Sequence, residues 1–490
     1  MSIVIGPYDS LRDYIAALDG SGRLLRIPEM DQDRFEATAF AYRQADRLDA
    51  ESTRAFLIDR VKIEGRWIKG PVVANLYGRW QDEALTFGVD PAGADQVTLY
   101  KRLLEELRPR MTSPGQWQRI APVTVNADAA PCKQVRLTGD AIDLLKFPWL
   151  KNFPGDGGRY INMASVVLQH PEFGRNVGTY RCQVKAAARI GVNPEPGQHG
   201  WRFLTDLKRK GVASAPCAVA VAPDPITFAV SSNKMAGFGE DEYLVAGGLR
   251  GRALELVQCD TSDLLVPAHA EMIIEGTIPL DATEPEGPYG ELYGYQGPRK
   301  DANFFMNVTA VTHRHDPIFP NSFTGITHDM PRAPQTASEF YRYKAIIPNL
   351  TAYYIPRGAN GVVALAIDKR MPGEGMFAGQ TAAANAGAGK VIIVVDKDID
   401  ILNPARILHA LGARWQPHPA TAIIPQTMMM MPDPSTPKRG LSSKIVIDAT
   451  RQLPEEGGPA SWPPLSREQL EKECPEAFAL VDGKWDSYWR

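Results

Sequence analysis

Cysteine is scarce in this chain of 490 residues: only Cys132, Cys182, Cys217, Cys259 and Cys474 occur. Their odd number and wide spacing exclude a disulfide framework, and the absence of a C-x-x-C pair excludes a zinc knuckle, so a reducing compartment fits. Charge of one sign is lacking as well. Lys plus Arg is 54 and Asp plus Glu is 57, a net charge of -3, which provides no global field to collect nucleic acid or anionic lipid. No run approaches the ~18 apolar residues that cross a bilayer. The opening Met1-Ser-Ile-Val-Ile-Gly-Pro-Tyr8 has no basic region, no long apolar core and no small-residue cleavage site. A cytoplasmic chain with no secretory signal and no membrane partner is expected. H-E-x-x-H and G-x-S-x-G are missing, which removes the simplest support for a metalloprotease or an α/β-hydrolase.

What is present is ordinary for a soluble globular protein: 44% apolar and 23% charged residues, with 40 Pro and 42 Gly spread along the chain. At ~100–200 residues per domain, two to four domains are expected. Asp9 or Ser10 can cap a helix carrying Leu11, Ile15 and Leu18 and stopping at Gly20, and Leu24–Ile27 reads as a strand. Leu99, Leu103, Leu104 and Leu107 form a helical stripe ended by Pro109. From about 135 to 325 the texture is β-rich, with strands predicted at 161–168, 218–222 and 304–312, as in a barrel or sandwich. A helix over 335–346, broken by Pro348, is expected as a connector. Beyond it, 361–368 and 391–396 read as buried strands, and Asn403-Pro404 opens a helix that Gly412 closes.

Common chemical motifs fail. Gly387-Ala388-Gly389-Lys390 lacks the spacing and the Ser or Thr of a phosphate loop, and it precedes its strand. The run Met428–Met431 reads as core or an apolar pocket wall, since thioethers suit only soft metals. The sharpest local anomaly is Glu284-Pro285-Glu286-Gly287-Pro288-Tyr289-Gly290-Glu291. Two carboxylates five apart point to opposite faces of a regular strand, so only a bulge or turn brings both to one cavity. Taken alone, the segment also reads as a solvated acidic turn. Arg181 ends Asn176-Val177-Gly178-Thr179-Tyr180-Arg181 and has the fork that matches a carboxylate or phosphate, although a single Arg is more often a surface ion pair. His199 and Glu242, each by itself, read as a loop histidine and a surface charge.

These pieces nevertheless occur in a fixed order: Asn176–Arg181, Gln198-His199, Glu242-Tyr243-Leu244-Val245-Ala246-Gly247, Leu265-Val266-Pro267, Glu275-Gly276, Glu286–Glu291, and Ser443-Lys444 leading to Asp448-Ala449-Thr450. On these residues, which span most of the sequence, the chain resembles the UbiD-like reversible decarboxylases that use prenylated flavin mononucleotide (prenylated FMN).

The resemblance implies an α+β fold with an N-terminal α/β part (1–115) and a split β-barrel flavin-binding domain (116–330). A linker helix (331–350) and a C-terminal α/β oligomerisation domain (351–490) follow. It implies Asn176, His199 and Glu242 as ligands of Mn²⁺ or Mg²⁺ against the flavin phosphate, with K⁺ nearby. Asn176, Val177, Gly178, Thr179, Tyr180, Arg181, Gln198, His199 and Glu242 would line the cofactor. Arg181, Glu286 and Glu291 match the catalytic Glu–Arg–Glu network. In that network Arg181 orients the substrate carboxylate or Glu286, and Glu291 exchanges the proton, which asks for a carboxyl shifted towards neutrality by burial.

An amide oxygen, an imidazole and a carboxylate suit a hard to intermediate divalent ion. Losing carbon dioxide from an sp² carbon leaves electrons that no side chain can store, so a cofactor must take them, here by a covalent flavin adduct. The implied reaction is reversible decarboxylation of an aromatic, heteroaromatic or α,β-unsaturated acid. The cofactor would come from a flavin prenyltransferase, and a homodimer or larger homo-oligomer is expected. A flavin reductase or oxidase on ordinary FMN, or a non-catalytic subunit of a carboxylase complex, are the alternatives. One departure stands out: a phosphate-side lysine of the family aligns with Ala382-Ala383-Ala384. His328 or Arg332, in Thr324–Arg332, would suit a polar aromatic acid.

Overall fold

The computed structural model describes residues 4–49, 52–385, 387, 389–429, 432–436 and 438–488. Ala388 of the glycine-rich segment and Met430 and Met431 of the methionine run lie outside the described residues.

Local chemistry explains the first elements. Ser10 accepts from the Asp13 backbone N–H while the Asp13 carboxylate accepts from that of Ser10, a capping box that starts the helix Leu11–Gly20. The strand Leu24–Asp31 follows and pairs in parallel with Ala55–Ile63, which forms a hairpin with Arg66–Ala74. The fourth strand of this sheet, Phe319–Pro320, arrives from far along the chain.

The middle of the chain folds into a nine-stranded antiparallel sheet, a half-barrel. Its path runs Gly174–Gly178, Ala164–His170, Ser214–Val221, Met272–Pro279, Phe305–His313, Arg189–Gly191, Cys182–Ala186 and Arg159–Ile161, and Val135–Thr138 also pairs with Phe305–His313. The strand predicted over 161–168 is therefore two strands at opposite parts of the sheet. The break falls at Asn162, whose side-chain amide donates to Ser322 O and Tyr289 Oη and accepts from Ser322 N. Three helices, His199–Arg209, Pro225–Ser232 and Glu242–Arg250, lie against the edge formed by Ala164–His170 and Gly174–Gly178.

The C-terminal sheet has the order Leu350–Tyr354, Val362–Ile367, Val391–Asp396, Leu441–Asp448, Thr421–Met428. Its three central strands are parallel, and Val362–Ile367 and Val391–Asp396 are buried, which explains the continuous apolar runs of those two. Asn403 caps the helix Pro404–Ala413 through the Ala405 N–H, with Pro404 where a missing N–H costs nothing. Gly412 does not close this helix, which runs on to Ala413. The expected connector is the helix Ala333–Lys344, and it is not free. Phe340 and Tyr343 share one core with Leu99, Leu103 and Leu107 and with Leu350 and Tyr353 of the C-terminal sheet, and Tyr341 Oη donates to Leu104 O at 3.0 Å. Four cysteines are buried and Cys474 is exposed, all as free thiols. Among the described residues no helix is long and apolar enough to cross a membrane.

Candidate active site

The segment 174–181 carries the first group of candidate residues, and glycine makes its shape possible. A side chain at Gly178 would lie 2.4 Å from Tyr180 Oη, and one at Gly200 would meet the same ring at 2.7 Å. Between these glycines Tyr180 Oη donates to Asn176 Oδ1 at 2.9 Å and accepts from Gly200 N at 2.9 Å. The Asn176 strand is thereby fastened to the helix that begins at His199. Thr179 N donates to Ser231 O, closing the segment against the helix Pro225–Ser232.

Glu242 opens the third helix, capped by Asp241, and its carboxylate is buried. It accepts from Asn176 Nδ2 at 2.9 Å and from Val177 N at 2.8 Å, and His199 Nδ1 stands 3.8 Å away. Burial raises its pKa, and His199 and the Val177 N–H offset part of that rise. Among the described residues no three His, Cys, Asp or Glu side chains form a metal-binding group. The set here is two such residues and an amide. To ligate an ion, Asn176 must present its oxygen towards Glu242, and Tyr180 permits this because a hydroxyl both accepts and donates. The three side chains thus fit a hard divalent ion.

The second group converges on Arg181. Nε and Nη2 donate to the two oxygens of Glu286 at 2.9 Å each, and Nη1 donates to Glu291 Oε1 at 2.8 Å. The segment 284–291 reaches this geometry through a bulge between Glu284 and Glu286, where it pairs with Lys300–Asn303, and through Gly287 at φ 80°. Gly290 packs flat on Phe153, where a side chain would meet the ring at 2.4 Å. Asp156 ties the turn by accepting from Gly290 N and Gln296 Nε2.

The guanidinium carbon of Arg181 lies 4.7 Å from the Tyr289 ring centroid, a favourable cation–π placement. Burial opposes the charge of Arg181, but Glu286 and Glu291 outweigh it and hold the group cationic. Glu286 is bonded to Arg181 through both oxygens and fully enclosed, whereas Glu291 takes one hydrogen bond from Arg181 and keeps 13% exposure.

Beside Glu291 lies the loop 323–332. A side chain at Gly325 would press on Glu291 O. Arg332 reaches Asn360, whose Nδ2 donates to Leu292 O at 2.6 Å. His328 is pushed down to about 3 by burial, with Arg357 and Arg332 adding repulsion. From about pH 6.5 down to about 3 the unfolded chain binds a proton that the folded chain excludes, so this residue costs stability as the pH falls. Neighbouring Asp329, raised to about 6 by burial, acts with the opposite sign, but it is common to both chains in a comparison. His328→Gln should therefore have a melting-temperature deficit against wild type that narrows between about pH 7 and about pH 4.5. Parallel curves would refute the assignment.

Residues 123–327 match the UbiD 3-octaprenyl-4-hydroxybenzoate carboxy-lyase Rift-related domain, and residues 330–449 match the corresponding C-terminal domain. A phenolic acid decarboxylase of Sedimentibacter hydroxybenzoicus is 30% identical over 491 residues, 96% of this chain and 98% of that protein. The chain belongs to the UbiD family. Among solved structures, the UbiD-class enzyme HmfF from Pelotomaculum thermopropionicum in complex with FMN is 29% identical, with a TM-score of 0.75 over 94% of this chain and 98% of that one. An evolved dimeric form of HmfF with prenylated FMN is 28% identical, with a TM-score of 0.77 over 95% and 98%. Vanillic acid decarboxylase of Sedimentibacter hydroxybenzoicus in open form is 28% identical, with a TM-score of 0.77 over 96% and 99%.

Within this UbiD fold the sequence-derived candidates fall into two clusters, Asn176–His199–Glu242 and Arg181–Glu286–Glu291. Gln198 is engaged locally, its Oε1 accepting from Glu195 N at 2.6 Å. Lys390, beside the aligned alanines, is committed to Asp433 and Ser435, and Ala382 and Ala383 are buried. Lys444 of the Ser443-Lys444 motif donates to Ala383 O at 2.7 Å, and burial lowers its pKa. Sequence reasoning missed Tyr180 as a clamp, Asp156 as the brace of the turn, and Tyr289 as the face beneath Arg181. The glycines at 178 and 200 were the available signal for the first.

Proposed function

We propose that this chain is a prenylated-FMN-dependent decarboxylase that reversibly removes carbon dioxide from an aromatic, heteroaromatic or α,β-unsaturated carboxylic acid without net oxidation. The observation that carries the reading is the enclosure of Arg181 with both Glu286 and Glu291 in one hydrogen-bonded unit. A flavin reductase has no use for such a unit. The named activities of the family relatives support the same class.

When bound, the prenylated flavin supplies the electron sink that decarboxylation requires. Asn176, His199 and Glu242 would hold a divalent ion, Mn²⁺ or Mg²⁺, on the phosphate side. Arg181, whose guanidinium never gives up its proton here, orients the substrate carboxylate and holds both oxygens of Glu286. Glu291, held by one bond, moves the proton to and from the reacting carbon. His328 or Arg332, in the loop 323–332, would favour substrates with polar substituents. The exposed edge strand Thr421–Met428, with Ile423 and Met428 each 72% exposed, supports a homo-oligomer built through the C-terminal domain.

The test is purification with and without a co-expressed flavin prenyltransferase, followed by spectra, metal analysis, light scattering and assay of carbon dioxide release from a panel of aryl, heteroaryl and acrylic acids. Release only with the prenylated cofactor, a particle of at least two chains, and loss of the divalent ion in Glu242→Ala are expected. Turnover with ordinary FMN and a nicotinamide reductant would replace this reading with the reductase.

A further inference from the structure

Between the two clusters stands a residue that no motif singles out. Glu195 lies in the loop between the strand Arg189–Gly191 and the helix that starts at His199. Its side chain is 16% exposed, and one oxygen, Oε1, accepts from Lys300 Nζ at 2.6 Å, Asn193 Nδ2 at 3.2 Å and Arg439 Nη2 at 3.2 Å. Each donor leads somewhere different. Lys300 is the ladder partner of Glu286. Asn193 donates its backbone N–H to Arg181 O at 3.2 Å and accepts from Lys300 through Oδ1 at 2.7 Å. Arg439 belongs to the C-terminal domain, 244 residues away in sequence. Glu195 also brackets Gln198, donating its N–H to Oε1 and accepting from Gln198 N, immediately before His199.

Resting on the decarboxylase reading, we propose that Glu195 is a positioning residue: it couples the Glu286–Arg181–Glu291 unit and the start of the His199 helix to the seating of the C-terminal domain through Arg439. The physical reason is charge balance in a confined space. Lys300 feels the repulsion of Arg181 and the attraction of Glu286. Glu195 satisfies Lys300 and keeps it away from Glu286, so that both oxygens of Glu286 remain with Arg181. Without that carboxylate the ammonium competes for Glu286 and breaks the bidentate pair. An exposed ion pair would contribute little, but here two cations from distant segments share one largely enclosed oxygen. A second contact of the C-terminal domain, Asn360 Nδ2 to Leu292 O, lands on the same catalytic turn.

The test uses the full-length holoenzyme. Glu195→Gln should lower kcat about tenfold to a hundredfold with little change in KM, the size of loss produced by misplacing catalytic groups by about an ångström. Arg439→Ala should lower kcat in the same manner, Arg439→Lys should recover most of it, and Glu195→Gln with Arg439→Ala together should be no worse than Glu195→Gln alone. Independently of turnover, hydrogen exchange in Arg439→Ala should rise in segments 193–199 and 284–303, far from the substitution in sequence, with the melting temperature close to wild type. Unchanged exchange there, or losses that multiply in the double variant, would overturn the proposal. A wild-type enzyme that releases no carbon dioxide from any acid would instead defeat the decarboxylase reading, and the exchange measurement would still decide the coupling.

Discussion

Glu291→Gln should abolish measurable turnover and the exchange of solvent deuterium into product, while the protein still retains flavin. The substitution keeps the shape and the acceptor that Arg181 Nη1 uses at 2.8 Å, and removes only the exchangeable carboxyl proton. Positioned acid–base groups contribute about 10²–10⁴ in rate, or about 3–5 kcal/mol of barrier, so the loss should be at least of that order. The proposed division of labour between the two glutamates rests on their contacts. Glu286 has both oxygens taken by Arg181, and a proton placed there would break the bidentate pair. Glu291 is held once and keeps access to its surroundings. Deuterium exchange at the wild-type rate in Glu291→Gln would remove Glu291 from the proton path.

Arg181→Met should produce the second large effect, on stability as well as on rate. Both partners are enclosed, with side-chain exposures of 10% for Arg181 and 0% for Glu286. Removing one member of a buried pair typically costs about 3–5 kcal/mol, because the other charge is left without compensation. Denaturant midpoints at neutral pH should fall accordingly. Turnover should be lost at every pH, because the Met side chain can orient no carboxylate. Arg181→Lys should be an incomplete rescue, as an ammonium cannot reproduce the fork that spans both oxygens of Glu286. A midpoint unchanged from wild type would mean that the pair is not energetically buried.

Much of the site was legible as residue types in order, and little of it as geometry. The five-residue offset of Glu286 and Glu291 announced an irregular backbone, and the bulge with Gly287 at positive φ is what resolved it. Nothing local announced that Arg181 would meet them, because 105 and 110 residues separate it from the two carboxylates. Glu195 was invisible for the same reason. Its partners Lys300 and Arg439 lie on other elements, and a glutamate in a Pro-rich loop looks like any solvated charge.

The fold divides along the same line. Short-range chemistry determined the start of the helix at Leu11 through the Ser10–Asp13 box, the start at Pro404 through Asn403, and the buried strands 362–367 and 391–396 through their apolar runs. Each depends on bonds or burial within a few residues. Tertiary structure decided which face meets which. The stripe Leu99–Leu107 reports that a face is buried, and only the packed molecule places it against Phe340 and the C-terminal sheet. Likewise the β-rich run 161–168 became two strands, one pairing with Cys182–Ala186 and the other with Ser214–Val221, with Asn162 at the break bonded to Tyr289 and Ser322. Periodicity is set by the geometry of one segment, whereas pairing is set by the free energy of bringing distant segments together, and that quantity belongs to the whole chain.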